Sequence, residues 1–361
     1  MKRLKLFLLA ILMIISSLTF AQEKVDMTPK ISGFAQFPFM ANFDKDFKLT
    51  DNSLNLQRVC LNFDGKITDK LSWKIGGDFV RNPILVDAFL KYKFNDELAI
   101  QVGQFKTPLT IENQFNPAVD CEIYDYGHVI KNLVGYNHKD DISKTGELGR
   151  DIGIMATGSL FEISNNKGEN FKLIDYKMGI FNGNGIITTN SKTDNNNDKV
   201  FIGRLDIHPM IKDLTVSASM RNGMYVRDTT TYYGVLNRYS FGIQYKNEKI
   251  VVRSEFIKGE TGRIISDETG ASVMDHMQSN GFYAVAGYWF NICKTQKIMP
   301  VIRYERLDVD ESVEKGAISY YTAGIYYMPI KYVNFKLNYQ LMEPEKGDQK
   351  HTIVAILNFK F

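Results

Sequence analysis

The sequence predicts an all-β fold, a transmembrane antiparallel β-barrel of about sixteen strands. Three observations predict it. Segments of about ten residues alternate in polarity along most of the chain. The connections between them alternate between tight and long. Finally, a leader opens the chain, and no later apolar stretch is long enough to cross a membrane as a helix.

The leader comes first. Lys2, Arg3 and Lys5 form a basic region, an apolar run covers 6–15, and Thr19 and Ala21 place small residues before Gln22. This is the pattern of a secretory signal peptide cleaved after Ala21. The run is shorter than the roughly 20 residues that an anchor needs. Residues 1–21 are therefore expected to be removed, leaving 22–361 as the barrel domain.

The strands follow. Leu71, Trp73, Ile75, Gly77 and Phe79 point one way, opposite Ser72, Lys74, Gly76 and Asp78. Tyr239, Phe241, Ile243 and Tyr245 oppose Arg238, Ser240, Gly242, Gln244 and Lys246, and Val333, Phe335, Leu337, Tyr339 and Leu341 oppose Asn334, Lys336, Asn338 and Gln340. The last segment sets Ile353, Ala355, Leu357, Phe359 and Phe361 against Thr352, Asn358 and Lys360. Each segment has the two-residue period of a strand with one face for lipid and one for water. A terminal strand ending in Phe361 is also the form that outer-membrane assembly machinery recognises. Outer-membrane lipid of a Gram-negative bacterium is the expected surrounding.

Tight connections are expected at 67–70, 95–97, 209–212, 247–248 and 329–331, and long ones at 40–53, 107–149, 182–198, 223–236 and 259–279. Short periplasmic turns and longer external loops produce this alternation. The segment 107–149 is the longest. Loops of that length without structure are uncommon and usually functional. It follows the fifth strand, the place from which the third external loop of general porins folds into the channel.

Composition agrees with a barrel. Mean hydropathy is −0.22, because only alternate residues need meet lipid. There are 19 Tyr and 24 Phe against 9 Pro, and rings concentrate in the girdles of barrels. The whole chain has 44 Lys+Arg and 41 Asp+Glu, a net +3. Loss of Lys2, Arg3 and Lys5 with the leader brings the mature chain to zero. Any ion selectivity must then come from local arrangement, and no nucleic-acid partner is expected. Cys60, Cys121 and Cys293 are an odd number without metal spacing, so free thiols are expected.

Several motifs resemble a known family. Gly103-Gln104-Phe105-Lys106-Thr107-Pro108-Leu109, followed by Glu112, resembles the GQFK-x-P-[FL]-x-x-E signature of the phosphate-selective porin O and P family. Asp87-Ala88-Phe89-Leu90-Lys91-Tyr92 precedes it like that family's DAY-type strand. Gly149-Arg150-Asp151-Ile152-Gly153 follows the long loop as the GRD-x-G re-entry does, and Phe181-Asn182-Gly183-Asn184-Gly185 and Gly203-Arg204-Leu205 resemble later landmarks. The resemblance implies a sixteen-stranded channel, trimeric, with an inward third loop. It would take up small anions such as phosphate or polyphosphate past basic side chains at a constriction. It also implies a role for Lys106, at the start of the inward loop, in holding an oxyanion; the alternative is a lysine snorkelling at the interface.

Parity supplies further cations for the wall. Arg58, Lys74, Arg150, Arg204, Arg221, Arg238, Arg253, Arg303 and Lys336 fall on hydrated faces. Arginine there offers an anion a planar fork of donors. Arg204 with Asp206, Arg253 with Glu255, and Arg303 with Glu305 read instead as paired charges that support the wall. Arg58 and Arg221 have fewer acidic neighbours and are the better ligand candidates. The named charges of 107–149 include more acids than bases, so a non-selective general porin is the alternative function. A plugged structural or adhesive barrel is a third reading. Sixteen strands normally enclose water rather than a filled interior.

Nothing points to an enzyme. The five His include none on a strand beside a matching Ser motif. His128 and His138, near Asp140 and Asp141, have no metal-site spacing, and 194–198 lacks the Gly and distal Glu of a calcium loop. Passive diffusion with no cofactor and no metal is the expectation.

Overall fold

The computed structural model of the protein describes residues 26–80, 85–115, 120–134, 149–164, 168, 170–183, 185–186, 198–226, 233–266 and 272–361. The leader, 116–119, 135–148 (with His138, Asp140 and Asp141) and 194–197 lie outside them.

Sixteen antiparallel strands close into a barrel. They are β1 Lys30–Phe43, β2 Leu49–Leu54 continuing as Arg58–Lys66, β3 Leu71–Asp78, β4 Leu85–Lys93, β5 Ala99–Lys106 and β6 Arg150–Ser164. Next come β7 Asn170–Phe181, β8 Val200–Ile207, β9 Leu214–Asn222 continuing as Met224–Val226, β10 Tyr233–Lys246 and β11 Ile250–Ser266. The last are β12 Ser272–Tyr288 continuing as Phe290–Asn291, β13 Lys297–Asp308, β14 Ile318–Ile330, β15 Val333–Pro344 and β16 Lys350–Lys360. Each strand pairs with its sequence neighbour, and β16 pairs back on β1 from Phe34↔Lys360 to Phe43↔His351. Closure leaves no open edge in the membrane, where an unpaired peptide group has no water to bond.

The alternation read from the sequence is the sidedness of the wall. On β15, Phe335, Leu337 and Tyr339 are exposed outward while Asn334, Lys336, Asn338 and Gln340 are buried inward. On β10, Tyr239, Phe241 and Ile243 face out and Arg238 and Ser240 face in. The last strand departs from strict amphipathy. Val354 and Ile356 point inward and are buried beneath Tyr124 with Met40. The interior is therefore partly apolar where a loop covers it.

Two expected loops are mostly strand. The connection 40–53 shrinks to a turn at 44–48, since Phe39–Phe43 pair with Leu49–Leu54. The connection 259–279 is a hairpin laddered as far as Ser266↔Ser272. The physical reason is common to both. Beyond the hydrocarbon both faces are wet, so the two-residue polarity signal fades while backbone pairing continues.

The loop 107–149 leaves β5 and re-enters at β6, and its described parts lie inside the barrel. It carries a single turn of 3-10 helix, Glu112–Gln114, and one short helix, α1 His128–Leu133. Its Leu109, Ile111, Ile123, Val129, Ile130 and Leu133 are buried, most of them in one core with Ile257, Tyr283, Val285 and Leu307 of the wall. Each such side chain contributes roughly 1.5–3 kcal/mol when fully buried. Gly281 makes the seat possible, because a Cβ there would lie 2.7 Å from Val129 Cγ1. Gly149 closes the loop at φ +62°, and its Cβ would lie 1.8 Å from Asn113 Oδ1. That left-handed conformation and that close approach both require glycine.

Candidate functional site

The site is the lumen at the level of the inward loop. The hydrated faces of β9 to β15 and β2 supply buried cations and acids, and the loop supplies their counter-charges. Glu112 is the centre of this arrangement. Its Oε2 lies 2.6 Å from Arg303 Nη1 and 3.3 Å from Arg253 Nη2, and its Oε1 accepts from Gly127 N–H at 2.7 Å. Glu122 adds a second contact to Arg253 Nη2 at 2.6 Å. Asp125 sits between Arg58 Nη1 at 3.0 Å and Lys131 Nζ at 2.9 Å.

The wall's acids hold the loop's backbone. Glu255 Oε1 accepts from Ile111 N–H at 2.6 Å, its Oε2 from Glu112 N–H at 3.2 Å and from the Tyr283 hydroxyl at 2.6 Å. Glu305 Oε1 accepts from Val129 N–H at 3.1 Å. Lys336 donates to the carbonyls of Cys121 and Ile123 at 2.7 and 3.2 Å, and Arg238 to that of Leu133 at 2.9 Å. His128 stacks on Tyr320, centroids 3.7 Å apart, with its Nε2 3.0 Å from Gln340 Oε1.

The sequence candidates divide by surroundings. Arg58 meets Asp125 and donates to Gln36 Oε1 at 2.6 Å. Lys106 donates to the Tyr126 hydroxyl at 2.7 Å and to the Phe115 carbonyl, so its ammonium bonds to the loop that it opens. Arg150 forks onto Asp87 at 2.7 and 3.0 Å. Arg204 pairs with Asp206 at 2.8 Å and donates to the Thr110 carbonyl at 2.6 Å. Arg221 donates to the Gly183 carbonyl at 3.0 Å, while Asp151 accepts from Gly183 N–H at 2.8 Å. The GRD and FNGNG motifs thus meet at one turn. Lys74 lies 3.9 Å from Asp64 and is partly open to the lumen.

Two lysines that parity did not single out also face the lumen, Lys91 and Lys177. Lys91 shares its strand face with Asp87, and Lys177 is opposite Arg204. Neither is in an ion pair among the described residues. Glu112 was also missed as a site residue. Its signal was present as the closing residue of the GQFK signature, but only the fold reveals the two arginines that it joins. Cys60, Cys121 and Cys293 are all free thiols.

Charge in the loop responds to pH in a defined direction. Burial opposes ionisation of Asp125, but Arg58 and Lys131 overcome it and hold its carboxyl well below the usual carboxylate range. Burial likewise opposes ionisation of Glu122, and Arg253 prevails and lowers it. For depressed carboxyls the stabilisation is full above the released value of about 4 and is lost as pH falls through the seated value. Burial also pushes the His128 imidazole down. A released imidazole takes a proton below about pH 6.5, so the seat weakens from there downward. Open-channel current noise is expected to rise in two stages on acidification. His128→Gln should remove the first stage and leave the second; a first stage unchanged in that variant would contradict the assignment.

The comparisons with known proteins fit this geometry. The profile of the family described as "Phosphate-selective porin O and P" matches residues 36–354. The anion-selective porin from Comamonas acidovorans is similar in structure with a TM-score of 0.63 at 11% identity, covering 93% of this chain and 100% of that one. Salmonella typhi OmpF, solved in complex with daunomycin, gives 0.62 at 14% identity over 92% of this chain and 98% of that one. OmpT of Vibrio cholerae, in its trimer form, gives 0.57 at 10% identity over 92% and 100%. At these identities the likeness is one of fold. No curated protein matches the chain.

Proposed function

This chain belongs to the phosphate-selective porin O and P family and is an outer-membrane channel of a Gram-negative bacterium, and we propose that it passes small anions, phosphate among them, by passive diffusion. The observation that carries the anion preference is the distribution of counter-charge. Glu112, Glu122 and Asp125 of the loop are engaged by Arg253, Arg303, Arg58 and Lys131. The wall away from those contacts keeps Lys91 and Lys177 without ion pairs among the described residues.

In this reading the segment 107–149 is the constriction, and its Glu112, Glu122 and Asp125 are neutralised before a solute meets them. Lys74, Lys91 and Lys177 recruit the anion, while Lys106, Arg150, Arg204, Arg58 and Arg221 shape the path through their bonds to the loop and its neighbours. Conduction requires attraction strong enough to draw an anion in and weak enough to release it. Partly exposed lysines opposite a charge-paired wall meet both requirements. A homotrimer is part of the proposal, supported by the trimer form of the structurally similar OmpT.

The test is the reversal potential in a planar bilayer under a KCl gradient, followed by phosphate titration of the chloride current. Anion selectivity with block by phosphate is the expected result. A cation-selective or unselective current that phosphate leaves unchanged would overturn the proposal and leave a general porin.

A further inference from the structure

The rim that carries the short turns holds a second arrangement of charge. A cavity of about 780 Å³ opens there, lined by Ser159, Asp175, His208, Thr215, Gln244 and Lys246 among others. Short turns mark the periplasmic side of such barrels, so this is the periplasmic mouth of the lumen. His208 follows β8 on the face of Arg204 and Asp206, whose partners on β7 are Lys177 and Asp175.

At this mouth His208 bridges an acid and a hydroxyl. Its Nε2 lies 2.9 Å from Asp175 Oδ2, and its Nδ1 lies 3.2 Å from Thr215 Oγ1. Ser159 Oγ donates to the other carboxylate oxygen of Asp175 at 2.5 Å. Both members of the pair are open to the lumen, with 29% of the His208 side chain and 41% of the Asp175 side chain exposed. The imidazole is hydrogen-bonded in either protonation state. When neutral it donates from Nε2 to Asp175 and accepts at Nδ1 from the Thr215 hydroxyl; when protonated it donates at both nitrogens, and Thr215 accepts. No rearrangement is needed to change the charge.

We propose that Asp175 and His208 are a selectivity-setting pair, so that the protonation of His208 decides how readily the periplasmic mouth admits anions. The nearby charges fix the sign. Asp206 is neutralised by Arg204 at 2.8 Å, and Lys246 lies 3.8 Å from Glu122. Lys212 and Asp213 of the adjoining turn carry opposite charges, and Lys172, which also lines the cavity, is paired with Glu162 at 2.9 Å. Lys177 and the Asp175–His208 pair then dominate the mouth. With His208 neutral, the Asp175 carboxylate offsets Lys177 and repels anions. With His208 protonated, the pair is neutral and the charges of Lys177 and its neighbour Lys91 are no longer offset.

The proposal requires only that the channel conducts, so it is independent of any phosphate preference. Reversal potentials would be measured under a KCl gradient at about pH 8 and about pH 5.5, a range that spans histidine titration. The wild-type chloride-to-potassium permeability ratio should rise about threefold on acidification, the effect of one charge in a confined mouth. His208→Gln should abolish that step at the low ratio. Asp175→Asn removes the offsetting carboxylate, so its ratio at about pH 8 should already reach the wild-type value at about pH 5.5, and it serves as the second test if the histidine variant does not assemble. A full step surviving in His208→Gln, or an unraised ratio at about pH 8 in Asp175→Asn, would overturn the proposal. Absence of phosphate block with the step intact would count against the proposed substrate only.

Discussion

Replacing Glu112 with glutamine should unseat the inward loop. Its carboxylate is wholly buried between Arg253 and Arg303 and also accepts from Gly127 N–H. Removing one partner of a buried ionic cluster leaves uncompensated charge and costs about 3–5 kcal/mol. Here part of that cost is offset, because Arg253 keeps Glu122 at 2.6 Å and Arg303 keeps Glu305 at 3.2 Å. The barrel itself should survive, because its strand ladder does not pass through the loop. Refolded channels should therefore show larger conductance and more frequent current fluctuations than wild type, with unchanged β content by circular dichroism. Asp64→Asn, which removes an acid with 46% of its side chain exposed, should change little. Unaltered conductance in Glu112→Gln would mean that aliphatic packing and the other wall contacts hold the loop without this carboxylate.

Converting Lys91 and Lys177 together to glutamate should reverse the sign of selectivity. These lysines face the lumen without ion pairs among the described residues, and the change moves the local charge from two positive to two negative. In a low-dielectric channel such a field alters local ion concentration by on the order of tenfold or more. The reversal potential under a KCl gradient should cross zero, and phosphate block should disappear. The paired arginines provide the contrast. Arg204→Gln removes a cation that already has Asp206 at 2.8 Å, so its effect on selectivity should be smaller than that of either lysine. An equal effect would mean that the ion pairs on the wall are electrically open to the solute.

Much of the architecture is legible in the linear pattern. The segment 333–341 alternates so regularly that its two faces can be assigned residue by residue, and Phe335 and Lys336 lie on the expected sides. The paired reading of Arg204–Asp206 and Arg303–Glu305 also matches contacts at 2.8 and 3.2 Å. That of Arg253–Glu255 does not, because the inward loop brings Glu112 and Glu122 to Arg253 and occupies Glu255 with its backbone N–H groups. Legibility ends where polarity carries no period. The hairpin reaching Ser266↔Ser272 stands in water on both faces, so its strands resemble loop. Val354 and Ile356 do not announce themselves as inward-facing, because an apolar lumen wall makes sense only once Tyr124 covers it.

The sequence by itself determined the barrel, its approximate strand count, its sidedness and the start and end of the inward loop. These follow from local periodicity, turn chemistry and short motifs, all of which act between residues near in the chain. Only the tertiary structure decided which charges remain for a solute. Arg253 and Glu112 are 141 residues apart, and Lys336 and Cys121 are 215 apart. Nothing in a linear pattern says whether a lumenal arginine meets a loop carboxylate or open water. That outcome depends on how the loop crosses the barrel, and the crossing is set by side-chain packing and ion pairing between segments that meet only after the sheet has closed.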